Sequence, residues 1–175
     1  KRIINDKEAS GKYSETLGRI YRQSRRMKDM LNMVLDLRKM EVGKNSLKIE
    51  SINFNKWLES SIEDIIAEEH AEGIDIMLET DPAITEVDMD VRKCDTVLMN
   101  ILINAIKHSA IGDTITIKTR LSGEGSVIVS VSDQGPGLRD ADMSQLFTNF
   151  YQSSHEQYGS GIGLSYSKIL IELMG

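Results

Sequence analysis

Two asparagines one helical turn apart, Asn100 and Asn104, followed by Lys107 and His108, form the group in this sequence whose types and spacing best suit chemistry. At about 100° per residue, Asn100, Asn104 and Lys107 fall within an arc of roughly 60°. Cys94, Leu98, Leu102 and Ala105 make the opposite, apolar face. Asparagine costs up to ~0.7 kcal/mol relative to alanine inside a helix, so the pair invites a reason. One reason is a solvated face. The other is a ligand: an amide oxygen facing magnesium, which prefers hard oxygen donors and keeps several waters, with Lys107 neutralising phosphate.

Two glycine-bearing stretches join this group. Asp133-Gln134-Gly135-Pro136-Gly137 follows an alternating run, with Val127, Val129 and Val131 on one face and Ile128, Ser130 and Ser132 on the other. A carboxylate at a strand end accepts a hydrogen bond from an exocyclic amino group such as that of adenine, and glycines let a flat ring approach the main chain. The same residues are also ordinary turn chemistry. Gly159-Ser160-Gly161-Ile162-Gly163 precedes a helical pattern from about Leu164 to Leu173, and such a loop presents N–H groups to phosphate oxygens. It is no dinucleotide fingerprint, because the spacing is wrong and a polar stretch precedes it. Nor is it a P-loop, since no Gly-Lys-Ser/Thr follows.

The elements that must position these residues are legible from periodicity. Leu47 to Phe54 reads as a strand, and Asn55 as the cap of a helix running to about Glu69. Ile74 to Leu78 and Ile84 to Met89 read as strands, and Val91 to Ser109 as the helix of the two asparagines. Thr114 to Leu121 and Ser126 to Asp133 make a hairpin. Upstream, Leu17, Ile20, Ser24, Met27, Leu31 and Val34 recur at spacings of three and four, with Arg19, Arg22, Arg25, Arg26 and Lys28 mostly off that line. This is a heptad seam that suits a bundle or dimer, or else a core helix of its own domain, and Gly43 stops it.

The chain has 175 residues, 40% hydrophobic and 27% charged, which suits one ordinary domain with a helical appendage. A formal net charge of -6 argues against nonspecific nucleic-acid binding. Cys94 stands alone, so no internal disulfide forms, and a reducing compartment fits. No apolar run is long enough to span a membrane, and Lys1 opens no signal-peptide pattern.

In their order, these stretches resemble the ATP-binding catalytic domain of sensor histidine kinases, within the superfamily of gyrase, heat-shock chaperone and mismatch-repair ATPases. Asn100-Ile101-Leu102-Ile103-Asn104-Ala105-Ile106-Lys107-His108 is similar to the N box. Asp133 to Gly137 is similar to the first glycine box, Leu146-Phe147-Thr148-Asn149-Phe150-Tyr151-Gln152 to the F box, and Gly159 to Leu164 to the second glycine box. Leu35 to Gly43 resembles the end of the second dimerisation helix. The implied fold is α+β, a two-layer sandwich of a mixed β-sheet and helices, with residues 1–43 from a dimerisation region and 44–175 the catalytic domain.

The resemblance implies ATP and Mg2+ as cofactors, with Asn104 holding the metal. Asn100, Asn104, Lys107, His108, Asp133, Gly135, Gly137, Phe147, Phe150, Tyr151, Gly159, Gly161, Gly163 and Leu164 would line the nucleotide site. It implies transfer of the γ-phosphoryl group to a histidine and thence to a response-regulator receiver domain. It also implies a homodimer through the N-terminal helix and a cytoplasmic location, as the cytoplasmic portion of a membrane-anchored sensor without direct membrane contact in this stretch. None of His70, His108 and His155 sits in the family's phospho-acceptor pattern, so the expected acceptor lies outside this sequence and the chain alone should not phosphorylate itself. The family's two closing strands are likewise expected after Gly175. Asn149 and Gln152 stand where the F box often carries basic residues, and Ser160 where threonine is usual. No catalytic base is assigned, although Asp95 lies near the N box. The rival readings are a gyrase- or chaperone-type ATP-gated clamp and a non-catalytic module that binds ATP or dimerises.

Overall fold

A computed structural model describes residues 47–175 apart from 70, 124, 139–142 and 149–160, together with scattered positions from 13 to 38. The chain divides into two compact units, Lys1–Ser46 and Leu47–Gly175.

In the second unit the elements run β1 (Glu50–Asn53), α1 (Phe54–Glu69), β2 (Asp75–Glu79), β3 (Glu86–Met89), α2 (Val91–His108), β4 (Thr114–Leu121), β5 (Val127–Ser132) and α3 (Gly163–Met174). β2, β4 and β5 form a mixed sheet in which β2 is parallel and β5 antiparallel to the central β4. β1 and β3 form a separate antiparallel pair, where the sequence suggested a single sheet. The register sets Ile76 beside Ile115 and Leu78 beside Ile117 on one face, where both β4 isoleucines are fully buried. α1 covers the core with Phe54, Leu58, Ile62 and Ile65, and α2 with Val97, Leu98, Leu102 and Ala105. Side chains of this kind contribute ~1.5–3 kcal/mol each on burial, so the helical layer is held mainly by these two stripes. Apart from Met77 and Ile128 the other face of the sheet is polar, with the cross-strand pair Lys118–Glu79 at 2.7 Å. Both partners are exposed, so the pair adds little stability.

Two local expectations change. The first strand is shorter than Leu47 to Phe54, and Ile49 lies exposed before it, because Phe54 turns inward to open α1. The helix cap is Asn53, whose Oδ1 accepts the Lys56 N–H at 3.1 Å, and not Asn55. Asn55 is needed elsewhere: its Nδ2 donates to the carbonyls of Asp81 at 3.1 Å and Ile84 at 3.0 Å, fastening the β2–β3 connection to α1.

In the first unit every described residue from 13 to 38 is helical. Leu17, Ile20, Met27, Leu31 and Val34 of the seam are between 56% and 65% exposed. Gly43 and the arginines 19, 22, 25 and 26 lie outside the described residues.

Candidate functional site

α2 is the platform of the site. Asp90 caps it, with Oδ1 accepting the Lys93 N–H at 3.3 Å and Oδ2 the Lys48 N–H at 3.0 Å. Ser109 closes the other end, where its N–H and hydroxyl both donate to the Ala105 carbonyl. The two asparagines on the polar face have different surroundings. Asn100 Nδ2 donates to the Gly163 carbonyl at 3.2 Å and to Ser167 Oγ at 3.1 Å, so its amide group is turned onto α3. The side chain of Asn104, half-buried one turn later, has no hydrogen bond among the described residues. Lys107 and His108 are exposed in the last turn, where basic side chains complement the helix dipole.

The Asp133 turn is docked on that end of α2. Asp133 Oδ1 accepts the Gly135 N–H at 2.9 Å, which closes the turn. Gln134 Oε1 accepts the Thr114 N–H at 2.8 Å and ties the turn to the start of β4. Gly135 faces the backbone of His108 so closely that a Cβ built on it would stand 2.6 Å from the His108 carbonyl oxygen. Glycine is therefore required there for space. At Gly137 the requirement is conformational, since φ is 69°.

α3 runs antiparallel to α2. At one end Cys94 Sγ donates to Met174 Sδ at 3.7 Å, and at the other Asn100 meets Gly163 and Ser167. Gly161 turns the chain into this helix with φ of 63°, and Ile162 opens it without a side-chain cap. The first N–H groups of α3 are thus left for other acceptors. Phe147 is half-exposed, with Lys168 of α3 lying 5.7 Å from its ring centroid. The Cys94 thiol is pushed up to about 11 by burial, and then by Asp90 and Asp95, so it stays protonated at neutral pH and offers no thiolate.

Residues 89–175 match the family of histidine kinase-, DNA gyrase B-, and HSP90-like ATPases. These residues belong to this ATPase family. The chain is 32% identical over 156 residues to hybrid signal transduction histidine kinase B of Dictyostelium discoideum, covering 84% of this chain and 8% of that protein. It is 34% identical over 163 residues to the virulence sensor protein BvgS of Bordetella bronchiseptica, covering 89% of this chain and 13% of that protein. The chain therefore spans only a small part of the curated relatives it matches. Among solved structures, the catalytic domain of histidine kinase ThkA superposes with a TM-score of 0.64 at 25% identity, covering 73% of this chain and 82% of that one. The mycobacterial sensor histidine kinase MprB has the same fold, with a TM-score of 0.63 at 24% identity, covering 73% and 80%.

Within this ATPase domain the N-box and first-glycine-box residues come together through Gly135 and His108, and Gly163 reaches the same helix through Asn100. Leu164 is half-buried in the first turn of α3. Phe150, Tyr151 and Gly159 lie outside the described residues, as do His70, Asn149, Gln152, His155 and Ser160. Asp95 belongs to the helix packing: its Oδ1 accepts Trp57 Nε1–H at 2.8 Å and the Ser61 hydroxyl at 3.2 Å, tying α2 to α1. Ser167 and Gln134 are contributors that periodicity gave no means of finding, because their partners are distant in sequence.

The metal expectation is consistent with the donors present. Among the described residues no group of three His, Cys, Asp or Glu side chains forms a cage. Magnesium characteristically takes one or two protein oxygens and completes its shell with phosphates and water, and the Asn104 amide oxygen offers such a single donor.

Proposed function

We propose that this chain is the ATP-binding catalytic part of a two-component sensor histidine kinase. The observation that carries the reading is the seating of Gly135 against the His108 carbonyl, which brings the Asp133 carboxylate to the helix that bears Asn104 and Lys107. Asp133 then receives the adenine amino group, and Lys107 and the N–H groups of the Gly161 to Gly163 segment face the phosphates. In the reaction an imidazole nitrogen attacks the γ-phosphorus, the bond to the ADP oxygen breaks, and the imidazole N–H proton is released. Catalysis of this kind rests on positioning and charge stabilisation. Asn104 would hold magnesium, which when bound would supply positive charge to offset that of the phosphates. The phosphoryl group passes next to a receiver-domain aspartate. Likeness to sensor and hybrid kinases supports this over the clamp-type ATPase.

The test is direct. The chain should bind ATP in calorimetry. Joined to a helix bearing a phospho-accepting histidine, it should also take label from γ-labelled ATP in a form lost in acid and kept in base. No ATP binding, or binding without any such label, would overturn the proposal. Asn104→Ala should weaken ATP binding about tenfold in magnesium, and much less in excess chelator, since the amide serves the ion. Equal losses under both conditions would give Asn104 another role.

Domain organisation follows the same reading, with residues 1–43 as dimerisation region and 44–175 as catalytic domain, in the cytoplasm. The exposed seam through Leu17, Ile20, Met27, Leu31 and Val34 supports a homodimer. Leu31→Glu should weaken self-association at least about tenfold, because a carboxylate would have to lose water in the seam. Light scattering over a concentration series reads this out, and a monomer unchanged by the substitution would remove the dimer.

A further inference from the structure

We propose that Asn100 is a positioning residue that fixes the glycine segment leading into α3 relative to Asn104. This inference rests on the reading of the site as an ATP pocket. Both N–H groups of the Asn100 amide are already in use, one on the Gly163 carbonyl at 3.2 Å and one on Ser167 Oγ at 3.1 Å. What remains is Oδ1, an acceptor, so the donors of this amide serve α3 and not the phosphate oxygens. Its partners belong to the machinery that holds α3. Ser167 is only 4% exposed, and Gly163 leaves just enough room, since a Cβ there would stand 3.4 Å from the Asn100 amide.

The geometry gives the tie its purpose. Asn100 and Asn104 lie one turn apart on the same face of α2, so a bond from Asn100 to the first turn of α3 sets the distance between that turn and Asn104. The Gly163 carbonyl has a second lone pair beyond its helical bond, and the amide occupies it. Gly161, with φ of 63°, makes the preceding turn, so the tie lies within two residues of the point where the chain swings into α3. α2 and α3 touch again at Cys94 and Met174, but that thiol–thioether contact is at the far end. Asn100 and Ser167 therefore govern the end nearer the phosphates.

Asn100→Asp removes the donors without changing size and sets a charged oxygen against the Gly163 carbonyl. The expected result is ATP binding about tenfold weaker, with adenosine binding unchanged, because adenosine engages the Asp133 end alone. Hydrogen exchange in residues 162–167 should rise even without nucleotide. Ser167→Ala should give a smaller shift of the same kind, and the double variant should lose no more than Asn100→Asp. If Asn100→Asp fails to fold, Ser167→Ala alone decides through the same comparison of ATP, adenosine and exchange. Equal losses of ATP and adenosine, or unchanged affinity with unchanged exchange, would overturn the proposal. A wild-type chain that binds neither ligand would instead overturn the ATP reading, and exchange in residues 162–167 would still decide whether Asn100 holds α3.

Discussion

Gly135→Ala should reduce ATP affinity by about five- to 150-fold, roughly the 1–3 kcal/mol that overpacking a tight contact costs. The added methyl carbon would meet the His108 carbonyl oxygen at 2.6 Å, the Asp133 Oδ1 at 2.8 Å and the His108 carbonyl carbon at 3.2 Å. Two of these are backbone atoms at the end of a helix, which cannot swing aside as a side-chain tip would. The turn must lift away, and the carboxylate leaves with it. Melting should fall by several degrees, since about 1 kcal/mol corresponds to ~2–4 °C in a domain of this size. Gly123→Ala is the control, because nothing lies within 4 Å of a Cβ there. If calorimetry and melting gave the same result for both alanines, Gly135 would have no special part in docking the turn.

Asp133→Asn should weaken ATP binding by ~1–3 kcal/mol, about five- to 150-fold, while leaving the fold intact. The asparagine oxygen can still accept the Gly135 N–H that Asp133 Oδ1 takes at 2.9 Å, so the turn survives. Its amide then presents N–H to a ligand where the carboxylate presented an oxygen. Adenine, whose amino group is itself a donor, is left facing another donor. Inosine triphosphate carries an oxo group at that position and should lose little or gain. Competition between the two nucleotides therefore separates recognition of the base from general damage. An unchanged ratio of ATP to inosine triphosphate affinity in a folded variant would remove Asp133 from base recognition.

Much of the fold was legible because the relevant forces are local. Thr114 to Leu121 alternates cleanly, and β4 has those bounds. The apolar spacing of Leu98, Leu102 and Ala105 marked the buried face of α2, although Val97 joins it. Where the choice depended on distant partners, the sequence was silent. Asn53 and Asn55 both suit a helix cap, and only the carbonyls of Asp81 and Ile84 decide that Asn55 is used otherwise. The same holds for the site. The two asparagines share a face and a residue type, and what separates them is Ser167 Oγ, 67 positions away in sequence from Asn100. Gly135 was recognisable as turn chemistry, but its closeness to His108 was not, since that contact exists only once α2 and the turn have met.

The parallel pairing of β2 with β4 bears on how the molecule assembles. β4 and β5 are joined by a short turn closed by Ser122 N–H to Ser126 O at 2.7 Å and Ser126 N–H to Ser122 Oγ at 3.0 Å, so their hairpin closes early and locally. β2 must wait, because β3 and all of α2 lie between Ile76 and its neighbour Ile115. Pairings with long intervening chain form slowly, their loop entropy being lost before contacts repay it. A ligand that recognises only the completed arrangement would hold it together by mass action, adding about 2.7 kcal/mol at a hundred times its Kd and slowing the reopening of the last-formed contacts.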